Sequence, residues 1–484
     1  MTETFYLLRM VLSPDWCRKH SVLDLGCDSD VLRVGCVDPS DELLLSLVRA
    51  ESGMAVVAEA VEPDLIRRQN GDKLAQVVQD EDPLADLKED ALRGQSGDAA
   101  WEARPVIRLV ETVIGDALRQ QATDIHVEPE EDALKIRFRK DGMLRLHLSL
   151  PGWVKNAVTG RIKVMASLDI AEKRLPLDGR IGWEWRGTEV DIRVSTLPTR
   201  FGEKIVLRLL RQVSTLQRLD NLGLPSAIKE KLEYFFERPQ GMIFVTGPTG
   251  SGKSSTLFAG LQHILGKDIN ITTIEDPIEY DLPGASQVQI NEKAGLTFAG
   301  ALRSILRQDP DVILVGEIRD AETARIAIQA AQTGHLVLST LHTNDSISAI
   351  TRLKDLGVEP FLIGNAVLCI LAQRLVRKLC KSCTTWNEPT ADQRRMLPML
   401  PASVPCAKGC DQCGGTGYKG RVAVFEMLTV NAEIRDMILS GISEGEFRRS
   451  ISIEPLIQDG LAKMSEGITS PDEVIRVLLS DAHF

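Results

Sequence analysis

A parallel-sheet α/β core, preceded by a separate antiparallel α+β domain, is the fold class this chain predicts. Three observations carry that expectation. From about Leu224 onward, four short apolar runs (residues 243–245, 269–274, 312–315 and 336–339) alternate with helical stretches, as buried parallel strands do. Between residues 124 and 210 the strand patterns instead follow one another closely, and the turn Lys140-Asp141-Gly142 joins two of them. The chain has 484 residues, too many for a single core, and roughly three domains are expected.

In chain order, residues 1–80 mix short apolar runs with turn signals, such as Val31-Leu32-Arg33-Val34 before Asp38-Pro39-Ser40. Residues 41–50 read as a helix capped by Ser40, so a small α/β or helical module is expected. Residues 81–100 are polar and acidic, with Pro83, Gly94 and Gly97, the composition of a linker. The α+β domain is placed over 101–215. It opens with a helix at 105–121, where Ile107, Val110, Ile114 and Leu118 share one face. Strands are expected at 124–128, 134–139, 143–148, 181–185, 189–195 and 205–210. Residues 216–484 carry the parallel-sheet core, a cysteine-rich subdomain at about 376–420 and C-terminal helices.

Composition is ordinary for a globular chain, with 43% apolar and 26% charged residues. No apolar stretch reaches the ~20 residues of a membrane span. Residues 1–17 lack the basic start and long apolar centre of a signal peptide. A cytoplasmic protein is expected, attached to a membrane only through partners. The acidity is concentrated: the first 100 residues hold 10 Lys and Arg against 20 Asp and Glu, a net of −10 out of −11. This points to an N-terminal module with its own partner and away from a chain that grips a phosphate backbone.

The sharpest motif is Gly247-Pro248-Thr249-Gly250-Ser251-Gly252-Lys253-Ser254, which fits G-x-x-x-x-G-K-[ST] between an apolar strand and a helix. Glycines let such a loop curl so that several N–H groups face one anion, and the helix N-terminus adds its dipole. Lys253 would reach the β/γ-phosphates of a nucleotide, Ser254 would ligate Mg²⁺, and Ser255 follows within reach. Glu275, Asp276 and Glu279 cluster just after a strand end, where carboxylates can hold Mg²⁺ or its waters. The strand at 312–315 runs into Gly316 and Glu317. Glycine takes the slot where an Asp would ordinarily hold Mg²⁺ through water, so Glu317 is the candidate for polarising the attacking water. His335 and His342 bracket the next strand, and His342 is a candidate γ-phosphate sensor. Together these features read as a RecA-like doubly wound ATPase core.

Taken in order, these boxes resemble those of the secretion-superfamily ATPases, and type II secretion ATPases in particular. The boxes are the P-loop, Ile274-Glu275-Asp276-Pro277, the run from Arg307 through Asp311 to Asp320, and the His335/His342 box. The segments at 122–129, 177–180 and 191–198 match that family as well, so the likeness covers about residues 100–484. It implies a PAS-like upstream domain and a homohexamer in which Arg193 and Arg208 of that domain neutralise the γ-phosphate across a subunit boundary. Arg303 and Arg307, one helical turn apart, would lie on one face near the site. The acidic N-terminal module would dock the cytoplasmic domain of an inner-membrane secretion protein, and a polytopic inner-membrane platform protein would be a further partner. Export would follow from driving pseudopilus assembly.

Nine cysteines are present. Cys17, Cys27 and Cys36 are scattered, and Cys369 falls in an apolar stretch read as helical. Cys380-x-x-Cys383 and Cys410-x-x-Cys413 have the spacing of two knuckles closing one structural Zn²⁺ site, with Cys406 as a possible substitute for Cys410. In the resembled family this insertion marks secretion and pilus-assembly motors, so a type IV pilus assembly ATPase is the nearest alternative. A nucleic-acid ring motor would need a basic, aromatic-lined channel. With 5% aromatic residues and near-neutral charge beyond residue 100, no nucleic-acid partner is expected. A nucleotide-binding scaffold that does not turn over is the third reading.

Overall fold

The computed structural model describes residues 12, 17, 22–28, 31–39, 41–52, 54–61, 104–211, 217–266 and 268–479. The expected linker at 81–100 and the cap Ser40 lie outside them. The described residues fall into two compact units, one within 1–140 and 144–209, the other within 141–143 and 210–484. This division comes a few residues ahead of the expected 215/216 boundary.

The first unit opens with a small α/β element. Strands β1 (Leu23–Asp28) and β2 (Val31–Cys36) are antiparallel, and helix α1 (Glu42–Ser52) carries the chain to β3 (Ala55–Ala60), parallel to β2. Val22, Leu32, Val34, Cys36 and Val48 form its core around the buried Cys17. Asp41 caps α1, its carboxylate accepting the Leu44 N–H at 3.0 Å.

A six-stranded sheet follows, in the order β6-β5-β4-β9-β8-β7. Its strands are β4 (Asp124–Pro129), β5 (Ala133–Lys140), β6 (Met143–Pro151), β7 (Leu177–Trp185), β8 (Thr188–Thr199) and β9 (Gly202–Arg211). Helix α2 (Arg104–Arg119) buries Val106, Leu109, Val110, Val113 and Ile114, a stripe at i, i+3, i+4 spacing, against the sheet. Helix α3 (Lys155–Met165) contributes the fully buried Lys163, which is paired with Glu203 and bonded to the Glu172 carbonyl at 2.6 Å. A buried ammonium is tolerable only with such partners.

The second unit is built on a seven-stranded sheet ordered β12-β11-β13-β14-β10-β15-β18. Its strands are β10 (Gly241–Thr246), β11 (Ile271–Glu275), β12 (Ser286–Gln289), β13 (Val312–Val315), β14 (Leu336–Leu341), β15 (Val367–Leu379) and β18 (Tyr418–Thr429). All pairings are parallel except β15 with β18. Helices α4 (Ser226–Phe236) and α5 (Lys253–Ile264) cover one face. The other is covered by α6 (Phe298–Ile305), α7 (Ala321–Gln332), α8 (Ser346–Asp355) and α9 (Pro360–Ala366). Met242 and Phe244 enter one core while Ile243 and Val245 enter the other. That is why residues 242–245 of β10 are apolar in succession rather than at alternate positions. Cys369 is buried as expected, but it sits on strand β15 and not on a helix. A strand buried on both faces loses the period-two signal that separates it from a buried helix.

Between β15 and β18 the chain forms a two-stranded hairpin, β16 (Thr384–Asn387) with β17 (Val404–Ala407), enclosing α10 (Ala391–Met396). Helices α11 (Ala432–Ser440), α12 (Glu444–Ser450), α13 (Leu456–Ser465) and α14 (Pro471–Val474) complete the unit. No helix among the described residues is long and apolar enough to cross a membrane.

Candidate active site and metal centre

The glycine-rich loop leaves β10 at its C-terminal end and enters α5 at Lys253. Gly247 has φ +149°, and a Cβ there would stand 2.3 Å from the Gln373 carbonyl oxygen, so only glycine lets the loop turn this close to β15. Lys253 is buried, its Nζ donating to the carbonyls of Gly247 at 2.9 Å and Pro248 at 3.2 Å. Burial lowers its pKa, against the opposing pull of the Glu317 and Glu279 carboxylates. The lysine is thus folded inside its own loop, with negative charge close by. Pro248 and Ser254 are half-buried, while Thr249 and Gly250 are exposed. Ser255 Oγ lies 3.1 Å from Tyr280 Oη.

Neighbouring strand ends bring carboxylates to the same edge of the sheet, the edge where open α/β sheets bind ligands. Glu275 ends β11, but its carboxylate is already occupied. Thr273 Oγ1 donates to it at 2.7 Å and Gln287 Nε2 at 3.0 Å, and burial raises its pKa. Asp276 and Glu279 of the same cluster are exposed. After β13, a Cβ at Gly316 would lie 3.0 Å from the Ile274 carbonyl oxygen, so close approach of β11 crowds any side chain in that slot. The next residue, Glu317, is bonded to Arg319 Nη2 at 2.6 Å, with its other oxygen 3.5 Å from His342 Nε2. His342 follows β14, and its pKa is lowered, first by burial and then by the nearby Lys253 charge, with Glu317 opposing. Lys253, Glu317 and His342 therefore form one electrostatic group.

Within the second unit, His335, Arg303 and Arg307 have partners of their own. His335 precedes β14 at the opposite end of the strand, with Nδ1 2.9 Å from the Ala330 carbonyl and its own carbonyl accepting the Gly241 N–H. Seven residues of extended chain separate it from His342, roughly 23 Å. Arg303 pairs with Glu322 of α7, and Arg307 folds back onto the Arg303 carbonyl and Ser304. Arg193 and Arg208 stand on β8 and β9 of the first unit. Arg208 bonds Asp124 at 3.1 Å, and the buried Nε of Arg193 has no hydrogen-bond partner.

Gln373 carries no motif that singles it out in the sequence. It lies on β15, buried, and its amide reaches the loop. In the sequence it stands beside Arg374 at the end of the apolar run 366–372, so nothing there marks it as buried.

The four thiols of Cys380, Cys383, Cys410 and Cys413 lie within 4.8 Å of one another. Three of the sulfur–sulfur distances are 3.9, 3.9 and 3.8 Å. A tetrahedron with ~2.3 Å metal–sulfur bonds has edges of about 3.8 Å, so the donor set fits a four-coordinate metal with no open position. Burial raises a thiol, and Cys383 is pushed up to about 12. At Cys413 burial is outweighed by the backbone N–H groups of Cys410 and Gly417, each 3.1 Å from Sγ, which bring the thiol down to about 6. Cys406 is not in this cluster. Its thiol faces the Val404 carbonyl at 3.6 Å and packs among Leu397, Leu400 and Met464.

A doubly wound sheet, a glycine-rich loop folded around a buried lysine, and a glutamate and histidine at adjacent strand ends define a P-loop ATPase. Residues 99–476 match the family model described as Type II/IV secretion system protein, and the chain belongs to that family. It is an ATP hydrolase, which implies the use of ATP with Mg²⁺. The chain is 46% identical over 403 residues to the type II secretion system ATPase E of Vibrio cholerae, covering 82% of this chain and 80% of that one. Against type II secretion system protein E of Aeromonas hydrophila the identity is 43% over 461 residues, covering 94% and 89%. The type IV pilus assembly ATPase PilB of Thermus thermophilus is 42% identical across 96% of this chain, which spans only 54% of that relative's length. Among solved structures, the pilus retraction motor PilT with bound ADP superimposes with TM-score 0.53 at 28% identity, covering 76% of this chain and 96% of that one. The Legionella pneumophila ATPase DotB gives 0.55 at 25%, covering 76% and 94%.

Proposed function

We propose that this chain is the ATP-hydrolysing motor of a type II secretion system, acting as a homohexamer on the cytoplasmic side of the inner membrane. The observation that carries the mechanism is the placement of the Glu317 carboxylate in one electrostatic group with Lys253 and His342. Loop 247–252 and the α5 N-terminus bind the triphosphate, and Lys253 transfers from its loop carbonyls to the β/γ-phosphates. Ser254 ligates Mg²⁺, with the exposed Asp276 and Glu279 as outer partners in place of the occupied Glu275. Glu317 orients and polarises the attacking water, and His342 senses the γ-phosphate. Arg193 and Arg208 complete the site of a neighbouring subunit, so that turnover requires assembly. The tetracysteine cluster holds a structural Zn²⁺. The acidic N-terminal module docks an inner-membrane secretion protein, and a platform protein takes up the motion.

A type IV pilus assembly motor is the second reading, favoured by the likeness to PilB over nearly the whole of this chain. The choice of secretion rests on relatives named for it that match most of both lengths. Glu317→Gln tests the mechanism: hydrolysis should fall about 100-fold or more while ATP binding stays near wild type. Equal hydrolysis by variant and wild type would remove Glu317 from its role.

A further inference from the structure

We infer that Gln373 is a positioning residue for the phosphate loop, bracing the junction between loop and helix from strand β15. Its amide spans that junction. Nε2 donates to the Ser251 carbonyl at 2.8 Å, and Oε1 accepts from Thr256 Oγ1 at 2.7 Å. Thr256 lies one turn into α5 and its N–H also bonds the Gly252 carbonyl at 3.2 Å, so loop end, helix start and β15 are tied at one point. The Ser251 oxygen can only accept, which fixes the amide with its NH₂ toward the loop and its oxygen toward Thr256.

Peptide geometry makes this contact consequential. In a trans peptide the C=O and the following N–H point in opposite directions. Holding the Ser251 carbonyl against β15 therefore turns the Gly252 N–H away from the strand, toward the side on which an anion is cradled. Gly252 sits tightly against the same amide, a Cβ there falling 2.8 Å from Nε2. Gln373 is only 2% exposed, so both its bonds are made in a dry site where an unmet donor is costly.

The inference rests on the reading of residues 247–254 as a nucleotide cradle, and the test separates the two. In full-length protein, Gln373→Glu keeps the size of the side chain and an acceptor for Thr256 but puts a carboxylate oxygen opposite the Ser251 carbonyl. Thr256→Val removes the other half of the brace. ADP affinity by calorimetry should weaken about 10-fold for Gln373→Glu and about 3-fold for Thr256→Val. KM for ATP should rise in parallel, and kcat should change by no more than about 2-fold. A role in packing alone would lower the melting temperature and leave both constants in place. Wild-type ADP affinity in folded Gln373→Glu overturns the brace. If that variant does not fold, wild-type affinity in Thr256→Val does so. Lys253→Ala, measured alongside, should abolish binding. If it binds ADP like wild type, the cradle reading itself fails.

Discussion

The phosphate loop and the cysteine knuckles both depend on β15, yet they are built for opposite ends. Gln373, midway along the strand, grips the first loop, and Cys380, the residue after the strand, begins the second. In the phosphate loop the candidate anion binders are glycine backbone and a helix N-terminus, groups that wait for charge brought from outside. In the knuckles, backbone N–H groups of Cys410 and Gly417 are aimed at the chain's own Cys413 sulfur. The same device gives an open site in one place and a closed one in the other. The open site can turn over a ligand, whereas four thiolates around one metal leave nothing to exchange.

The contrast should break first at glycine. Gly247→Ala forces a Cβ to within 2.3 Å of the Gln373 carbonyl at a φ of +149°, so the loop has to move. ADP affinity should fall at least 100-fold by calorimetry and hydrolysis with it, while bound zinc stays at one per chain. Gly415→Ala is the counterpart: φ is +74°, with nothing within 4 Å of an added Cβ. Only the left-handed strain remains, about 1–2 kcal/mol of stability, with nucleotide binding intact. Comparable loss of ADP binding in both variants would erase the distinction between the loops.

Removing a ligand tests the closed site directly. Cys410→Ser should take metal content from one zinc per chain to none and lower the melting temperature, while ADP affinity stays within about 3-fold of wild type. Metal analysis and calorimetry on the same sample decide this. A parallel collapse of ADP binding would mean that β15 transmits the state of the knuckles to the phosphate loop.

Acid supplies a smaller probe of the open site. Burial and the Lys253 charge hold the His342 pKa below its ordinary value, so the folded protein takes up that proton less readily than the unfolded chain. The sign follows: the neutral form favours folding above about pH 6.5, and this contribution is lost as pH falls from there through the folded value. His342→Asn should therefore be less sensitive to acid than wild type in urea melts at pH 7.5 and 5.5. A wild type that gains stability on acidification relative to the variant would reverse the assigned electrostatics.

Legibility in the sequence followed how local each feature is. The phosphate loop, Glu317 after its strand, and the two C-x-x-C pairs are each written within a dozen residues, and spacing alone located them. His335 and His342 share one segment of the sequence, but a strand carries residues seven apart to opposite edges of the sheet. Gln373 was hidden for a different reason: its partner Ser251 is 122 residues away, and β15 presents no alternation because both its faces are buried. Arg193 and Arg208 sit on the upstream sheet, and no local pattern could relate them to the loop.

The smallest expected effect concerns the fifth thiol of the region. Spacing left Cys406 as a substitute for Cys410, whereas its position on β17, facing a carbonyl and packed against leucines, makes it part of an apolar cluster. Cys406→Ala should keep one zinc per chain and wild-type ADP affinity, and cost only about 1 kcal/mol for the lost sulfur contacts. Zinc content as low as in Cys410→Ser would place Cys406 among the ligands and redraw the knuckle. Retention of zinc would leave the closed site to the four cysteines whose sulfurs already stand at tetrahedral spacing.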